Sequence, residues 1–566
     1  MSSLVSAIDN FTPSKIGENG TVEYTWSNKI QEQIVQLHFQ LTRTNSSQQK
    51  HILHKKLDNI IQQIKDSYAN HSITELEKYT FLSVLYRMIG HTRDIINGKG
   101  EYSLAFMLLD AWSKHYPFLA EFAFKHFLCS SDANEHPYGS WKDLKNLYKE
   151  YPESPLIPYA CALLVEQLRK DSISEQPSLA AKWVPREKTG CNKLFNMLAT
   201  SYFSNYIETA KTEESKRKAI IKTKMDFRKL IARLNRQLDT VQIKQCSNKW
   251  SEIDPRKQTS VTMNKQKNAF LNISKNKSQR STFEDRINCA NNFTAYIKSA
   301  IENKRTIKGK RIGLNDFTSE AIRILNENRK DSLEAELLNA QWRDNSSQTK
   351  NLGKMVAMVD VSGSMHGDPL HAAIALGIRI AEKSILGKRV MTFSDCPNWV
   401  NLSNAHNFIE MVDITRLSPW RMNTNFSAAL NLILESIVQA NLDPDSVEDM
   451  ALVILSDMQM DCAGNHSKSL MDEIALNYAN TGISLWGKPF KAPHIIFWNL
   501  RSTSGFPTLS TTTNVTMMSG FSPSLLNAFE QDLETLKTLS SWDMLVDVVN
   551  NNRYDILEEF LRTELH

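Results

Sequence analysis

Residues 355–365 read MVAMVDVSGSM, an apolar run that ends at Asp360 and continues into two serines and a glycine. Short apolar runs of this kind predict buried strands, and buried strands alternating with helices are typical of a mostly parallel sheet covered on both faces. The alternation continues with strands at RVMTFSD, DMALVILSD and HIIFWNLR and with helices at PLHAAIALGIRIAEKSI and NFSAALNLILESIVQ. The C-terminal part of the chain is therefore predicted to form an α/β domain.

Oxygen-bearing side chains follow the ends of these strands. Asp360, Ser362 and Ser364 follow the first strand, Asp457 follows DMALVILS, and Thr424 lies in the loop RMNTNF before a helix. Ligands of open α/β sheets bind beyond the carboxyl ends of the strands, and carboxylates and hydroxyls suit Mg²⁺ or another divalent cation. A Ser-Gly-Ser turn with an aspartate helix cap is the structural alternative. Recurrence at three places in the chain favours a metal site.

The first half of the chain has a helical pattern almost throughout. In SITELEKYTFLSVLYRMIG, apolar residues recur at three- and four-residue steps, with a capping box at Ser72 and Glu75 and a helix end at Gly90. Similar segments follow one another with short breaks, which predicts a helical bundle or a solenoid. The polar stretch QWRDNSSQTKNLGK then interrupts the pattern. The predicted domains are an N-terminal segment (1–25), a helical domain (26–340), a linker (341–353) and the α/β domain (354–566).

Charge is distributed unevenly along the chain. Residues 211–311 hold 26 Lys and Arg against 9 Asp and Glu, whereas residues 351–566 hold 14 against 24. A local excess of this size indicates a nucleic-acid-binding surface, and interleaved aromatic residues such as Trp250 and Phe283 are candidates for base stacking. The alternative is a solvated face above core aromatics. The predicted RNA-binding residues are Lys216, Arg217, Lys218, Lys222, Lys224, Lys275, Lys277, Arg280, Lys308, Lys310 and Arg311.

Several other classes of protein fit the sequence poorly. The start of the chain lacks a secretory pattern and no apolar run is long enough to span a bilayer, so no membrane association is expected. Seven scattered cysteines predict a reducing, cytoplasmic compartment rather than a zinc module. Asp360, Ser362 and His366 lie too close in sequence for a catalytic triad, and Gly98-Lys99-Gly100 lacks the spacing of a phosphate loop. The chain is expected not to be an enzyme.

The segments DVSGSMHGDPL, NTNFSAAL and LVILSD resemble a von Willebrand factor A domain with a complete metal-ion-dependent adhesion site. This resemblance implies that Asp360, Ser362, Ser364, Thr424 and Asp457 hold the cation directly or through water. It also implies that an acidic group of a protein partner takes the open coordination position. Arg421 departs from the family pattern, in which small glycines often precede the threonine.

The helical half resembles TROVE-module proteins of the Ro ribonucleoprotein type, through RDIINGKGEYSLAFMLLDAWSKHYP, HPYGSWKDLKNL, LAAKWVPRE and FRKLIARLNRQL. It is closer to an uncharacterised TROVE-like family of plants, fungi and giant viruses. The resemblance implies a HEAT-like helical ring or solenoid that binds RNA, with single-stranded ends in its hole.

The expected function is therefore a non-enzymatic RNA-binding scaffold with a divalent-cation adhesion site. The alternative is a protein–protein adhesion or packaging module, for example of a virus particle, without selective RNA binding.

Overall fold

A computed structural model describes residues 14–16, 22–130, 135–302, 305–392, 397–418, 426–458, 467–503, 505–529 and 539–565. The chain folds into two compact units. One, the α/β unit, combines Met1–Met88 with Ala300–Asp555, and the other, the helical unit, combines Ile89–Ser299 with Ile556–His566. Each unit therefore contains two separate stretches of the chain.

The N-terminal stretch of the α/β unit has a short hairpin followed by helices. Its elements are β1 (Ser14–Ile16), β2 (Val22–Tyr24), α1 (Ile30–Gln40), α2 (Ser47–Ala69) and α3 (Glu75–Arg93), the last of which continues into the helical unit.

The helical unit is formed by a series of helices that pack on adjacent helices and on the next but one in the chain. Its described helices are α4 (Tyr102–His115), α5 (Pro117–Leu128), α6 (Lys142–Glu150), α7 (Leu156–Ile173), α8 (Ala180–Trp183), α9 (Asn192–Tyr202), α10 (Ser204–Glu208), α11 (Glu213–Gln237), α12 (Val241–Cys246), α13 (Ser260–Phe270) and α14 (Glu284–Glu302). The C-terminal end of the chain joins this unit, since the ring of Phe560 stacks on that of Phe122 with 3.8 Å between centroids.

The second stretch of the α/β unit contains the main sheet. In chain order its described elements are α15 (Leu314–Asn326), α16 (Leu333–Ser346), β3 (Lys354–Val359), α17 (Asp368–Lys383), β4 (Arg389–Thr392), β5 (Trp399–Asn401), α18 (Phe408–Leu417), α19 (Phe426–Gln439), α20 (Pro444–Val447), β6 (Met450–Ser456), α21 (Ser467–Trp486), β7 (His494–Asn499), β8 (Val515–Ser519) and α22 (Ser541–Val549). The last described helix, α23 (Asp555–Leu565), starts at the end of this stretch and belongs to the helical unit from Ile556 onward.

The main sheet has six strands in the order β5-β4-β3-β6-β7-β8. All neighbours are parallel except the edge strand β5, which is antiparallel to β4. The central strands β6 and β7 are buried along their whole length, as expected for strands covered on both faces. A largely helical region followed by an α/β sheet, the coarse fold predicted from the sequence, is confirmed.

The first described helix, α1, belongs to the α/β unit, whereas the sequence placed it in the predicted helical domain of residues 26–340. The main-chain oxygen of His38 accepts a hydrogen bond from Ser519 Oγ (2.7 Å), and that of Phe39 accepts one from Asn499 Nδ2 (2.9 Å). The Glu32 carboxylate accepts hydrogen bonds from the amide and hydroxyl of Ser510. Helix α1 thus covers the β8 edge of the sheet, which a chain-order division cannot reveal.

The predicted linker at 341–353 also lies inside the α/β unit rather than between compact units. Its polar side chains bond within the core: Asn345 Nδ2 donates to the carbonyl oxygens of Gly309 and Ile312, each at 3.2 Å, and Asn345 Oδ1 accepts from the buried Arg379 at 2.8 Å. Trp342 packs under the same guanidinium, 4.4 Å from its ring centroid. A polar stretch that resembles a linker in the sequence is here a buried hydrogen-bonded junction.

The helix predicted from Ser72 to Gly90 is displaced toward the C-terminus. The capping box forms at Thr74 and Glu77, whose side chains bond each other's backbone amides at 2.7 and 3.2 Å. Helix α3 continues past Gly90 to Arg93. Both boundaries therefore shift, by two to three residues, while the helix itself is as predicted.

Candidate cation site at the carboxyl edge of the sheet

The predicted site lies where the central strands β3 and β6 end. These strands are parallel neighbours, with Val359 opposite Leu455, so the residues that follow them emerge at the same edge. The Asp360 amide still donates to the Leu455 carbonyl oxygen at 3.0 Å. Asp360 and Asp457 are 1% and 0% exposed. Two buried acids thus occupy one edge of the sheet.

The Asp360 carboxylate is held by hydrogen bonds on both oxygens. Its Oδ1 accepts from the Ser362 amide at 2.8 Å, and its Oδ2 accepts from Ser456 Oγ at 2.6 Å. Burial raises the pKa of Asp360 to about 6, the hydrogen bonds from Ser456 and Ser362 oppose this rise, and the charge of Asp457 adds to it. This effect of Asp457 is the one expected for two carboxylates at the same edge of the sheet, since like charges disfavour each other's ionised form.

The two serines of the motif face one another. Ser362 Oγ and Ser364 Oγ are 3.0 Å apart, at the start of a short 3₁₀ turn that covers Gly363–Met365. Both residues are half-buried. Gly367, just beyond, has a φ of 94°, a conformation that favours glycine. The loop therefore presents two hydroxyl oxygens beside the Asp360 carboxylate.

Arg501 reaches this site from the end of β7. Its Nη1 lies 3.5 Å from Oδ2 of Asp457 and donates to the Ser364 carbonyl oxygen at 2.8 Å. The Asn499 side chain orients the arginine backbone by accepting from its amide at 3.0 Å. A positive charge from the protein thus lies beside the second carboxylate.

Two contributors to the site were missed in the sequence, Ser456 and Arg501. Ser456 is the last residue of β6, directly before Asp457, and its hydroxyl also accepts from the Met458 amide at 3.0 Å. Its position beside the predicted aspartate is a signal that could have suggested it. Arg501 is 137 residues from Ser364, and no local pattern connects the two.

The predicted ligand Thr424 lies outside the described residues, as does Arg421. The structure therefore brings together four of the five predicted ligands: Asp360, Ser362, Ser364 and Asp457. No cluster of three or more His, Cys, Asp or Glu residues suited to a metal occurs in the part of the chain that the structure describes. The donors at this edge are two carboxylates and two hydroxyls, a hard oxygen set that fits Mg²⁺ by its chemistry.

The predicted RNA-binding residues are distributed over both units. Those on α11 and those at 275–280 belong to the helical unit, whereas Lys308, Lys310 and Arg311 belong to the α/β unit. All are exposed except Lys224, which is half-buried. Two of the α11 lysines already pair with acids one turn away, Lys216 with Glu213 at 2.9 Å and Lys218 with Glu214 at 2.7 Å.

The candidate stacking aromatics differ sharply in exposure. Phe227 and Phe270 are 0% and 1% exposed and belong to the core of the helical unit, whereas Phe283 is 78% exposed. Trp250 and Tyr296 are half-buried. Only an exposed ring can stack on a base, so Phe283 is the strongest of these candidates.

The chain is similar to known proteins whose functions are uncharacterised. Residues 354–554 match a family described as a domain of unknown function (DUF7788). The chain is also similar to the uncharacterized protein L728 of Acanthamoeba polyphaga mimivirus, with 28% identity over 481 residues that cover 80% of this chain and 76% of the relative. The family match begins at β3 and includes the candidate cation site.

Among the described residues, no helix is long and apolar enough to cross a membrane.

Proposed function

We propose that the protein is a non-enzymatic RNA-binding scaffold, with a TROVE-like helical region and a von Willebrand factor A-like domain that holds a divalent cation. The main support is the convergence of Asp360, Ser362, Ser364 and Asp457 at the carboxyl ends of two adjacent strands. Buried acids that repel each other are stabilised by a cation. This convergence is the principal reason for favouring an adhesion site over an ordinary turn.

The cation site has a direct role in partner binding. Asp360, Ser362, Ser364, Asp457 and Thr424 hold Mg²⁺, which when bound offers an open coordination position to an acidic group of a protein partner. The surrounding residues orient the ligands: Ser456 fixes one oxygen of Asp360, and Arg501 holds the loop through the Ser364 carbonyl oxygen.

The RNA-binding role is supported by charge. The exposed cations of the helical unit lie in a segment with 26 Lys and Arg against 9 Asp and Glu. Phosphate neutralisation by such side chains supplies affinity for any RNA. Single-stranded ends are the preferred ligand, since unpaired bases can stack on side chains.

The second candidate is an adhesion or packaging module of a virus particle. It is supported by the mimivirus relative, which is similar to most of this chain.

In the first proposal the protein works in a reducing, cytoplasmic compartment, which agrees with the free cysteines at 129, 161, 191, 246 and 289.

RNA binding at several salt concentrations tests the proposal and separates the two candidates. We expect the logarithm of the association constant for single-stranded RNA to fall with the logarithm of salt concentration by about 0.7 per phosphate contact. Replacement of Lys216, Arg217, Lys218, Lys222 and Lys224 by Glu weakens binding and flattens this slope. Lys488→Glu with Lys491→Glu, exposed lysines of the acidic α/β unit, is the matched control. Equal binding by all three proteins would reject RNA binding by α11 and favour the packaging module.

A further inference from the structure

A tight hairpin lies between α13 and α14 in the helical unit. Ile273 and Gln279 form an antiparallel bridge, and the Arg280 amide donates to the Asn272 carbonyl oxygen at 2.8 Å. The Asn272 side chain closes the base of the hairpin by donating to the Ser281 carbonyl oxygen at 2.8 Å. Residues 272–281, called the basic hairpin below, therefore form a fixed projection rather than an unstructured loop.

The basic hairpin has cations and no acid. Lys275, Lys277 and Arg280 are exposed, and the sequence from 272 to 281 contains neither Asp nor Glu. Within the described residues, neither Lys275 nor Arg280 has an ion-pair partner. Cations without acidic partners are available to neutralise an external anion without first breaking a salt bridge.

Phe283 lies two residues beyond the basic hairpin, with 78% of its surface exposed. Its carbonyl oxygen accepts from the amides of Arg286 (3.0 Å) and Ile287 (3.1 Å), which fixes its backbone at the first turn of α14. A phenylalanine ring is normally buried, because its transfer from water to the interior is favourable. An exposed ring on a fixed backbone suggests a ligand that covers it.

A second arginine adds to the positive charge at this place. The guanidinium carbon of Arg286 lies 3.6 Å from the centroid of the Trp250 ring, and its Nη2 donates to the Ala269 carbonyl oxygen at 2.8 Å. Burial lowers the pKa of Arg286, and the nearby charge of Arg280 lowers it further. Both arginines bind main-chain oxygens near the end of α13, Arg280 through its amide to Asn272 and Arg286 through its guanidinium to Ala269, so an anion at this place would meet two cations.

Two acids follow Phe283 in the sequence without cancelling this charge. Asp285 is engaged by the backbone, since its carboxylate accepts from the amides of Trp250 (2.7 Å) and Ser251 (2.9 Å). Glu284 is exposed at the first turn of α14. From 272 to 287 the chain has four cations and two acids, so the surface stays positive.

We propose that the basic hairpin and Phe283 bind a segment of single-stranded RNA, with an unpaired base stacked on Phe283 and phosphates held by Lys275 and Arg280. This inference rests on the proposed RNA-binding function and states where an unpaired base is held. A single strand fits because a duplex keeps both faces of each base covered. An acidic peptide would satisfy the cations but leave the exposed ring unexplained.

Fluorescence anisotropy of the full-length protein tests this proposal with two labelled probes. One is a single-stranded oligoribonucleotide of about 12 nucleotides, and the other is an abasic strand of the same length and charge. We expect Phe283→Ala to weaken binding of the first probe by about fivefold or more and to leave the abasic strand unaffected, because only a base stacks on the ring. Phe283→Tyr, which keeps an aromatic ring, should restore wild-type affinity.

Two further variants test the role of the hairpin cations and the effect of removing an exposed ring elsewhere. Lys275→Gln with Arg280→Gln should weaken both probes and reduce the salt slope by about 1.4, the value for two phosphate contacts on a single strand. Phe118→Ala removes another exposed phenylalanine of the helical unit, 66% exposed on α5, and should change neither probe.

The outcomes separate this site from the wider proposal. If the wild-type protein binds RNA and Phe283→Ala behaves like Phe118→Ala, the site is wrong and the RNA-binding function stands. If Phe283→Ala weakens both probes equally, stacking is wrong. If the wild-type protein binds neither probe at low salt, both the site and the proposed function fail.

Discussion

The hydroxyl of Ser456 donates a hydrogen bond to Oδ2 of Asp360, with 2.6 Å between the two oxygens. Ser456 is the last residue of β6 and Asp360 directly follows β3, its neighbour in the sheet; the two are 96 positions apart in the chain and almost completely buried. This contact connects the two strand ends that supply the candidate cation ligands, and it orients the carboxylate before any cation arrives.

Replacing Ser456 by Ala should therefore destabilise the α/β unit. The change leaves an oxygen of a buried carboxylate without its donor, which costs about 1–3 kcal/mol. Urea unfolding, followed by hydrogen exchange of peptides that cover β3 and β6, measures the loss. Ser403→Ala, an exposed serine of the same unit, should leave the midpoint unchanged. Equal midpoints for the two variants would show that the contact contributes little.

In the proposed cation site, Arg501 should compete with the ion for Asp457, because its guanidinium is 3.5 Å from the Asp457 carboxylate. Arg501→Met keeps much of the side-chain stem and removes the charge, so Mg²⁺ should bind more tightly. Arg501 is half-exposed while Asp457 is buried, so solvent screens the pair only on the arginine side. A contribution of about 1 kcal/mol corresponds to a gain of about fivefold in Mg²⁺ affinity. Calorimetric titration measures it, with Arg389→Met, at the start of β4, as the control. Weaker Mg²⁺ binding by Arg501→Met would show that its bond to Ser364 matters more than its charge.

Gly98 marks a close approach of two chain segments in the helical unit. A Cβ at this position would lie 2.0 Å from the His91 carbonyl oxygen, which is backbone and cannot give way easily. Gly98→Ala should lower the stability of the helical unit by about 1–3 kcal/mol. Gly190→Ala is a matched control, since a Cβ there meets nothing within 4 Å. Hydrogen exchange of peptides covering residues 89–128 measures the effect, and equal exchange in both variants would contradict it.

His91 should make the helical unit sensitive to acid. Burial, with a smaller contribution from the charge of Lys99, lowers the pKa of His91 to about 3. The folded pKa lies below the unfolded value, so the unfolded chain binds more protons between these values. The stability that neutral His91 provides is present above about pH 6.5 and falls by about 1.4 kcal/mol per pH unit as the pH drops toward 3.

Hydrogen exchange of the same peptides between neutral and acidic pH measures this loss, after correction for the intrinsic pH dependence of exchange. His91→Gln removes the titrating group and should flatten the profile, whatever its effect on stability at neutral pH. An unchanged profile in the variant would show that other groups cause the acid sensitivity.

The sequence predicted elements better than it predicted their assembly. The strand at 354–359 and its acidic end were recognisable because a buried strand is locally encoded by its continuous apolar residues. The position of α1 beside the sheet was not recognisable from the sequence. Its backbone oxygens bind polar side chains of the sheet that are about 460 to 480 residues away in the chain. Its buried Glu32, His38 and Gln40 do not form the apolar stripe that indicates a core helix.

Contacts between residues distant in sequence also explain why the predicted linker at 341–353 was placed wrongly. The polar residues of this stretch were predicted to be exposed. Instead, the Asn345 side chain accepts a hydrogen bond from Arg379 inside the core, and such a pair of buried polar groups forms only in the tertiary structure. At the cation site, Arg501 was unpredictable for a related reason, since a charge brought in from another strand has no fixed spacing from the motif. The predicted metal residues that the structure describes do lie at one edge, because parallel neighbouring strands end together.

The most direct test of the cation site, on which the scaffold proposal chiefly depends, is a calorimetric titration of the full-length protein with Mg²⁺ in the absence of any partner. We expect saturable binding, a rise in unfolding temperature with Mg²⁺ concentration, and loss of both in Asp360→Asn, while Glu435→Gln, which changes an exposed acid on α19, behaves like the wild type. Absence of binding heat and of stabilisation in the wild-type protein, or equal binding by Asp360→Asn, would contradict it.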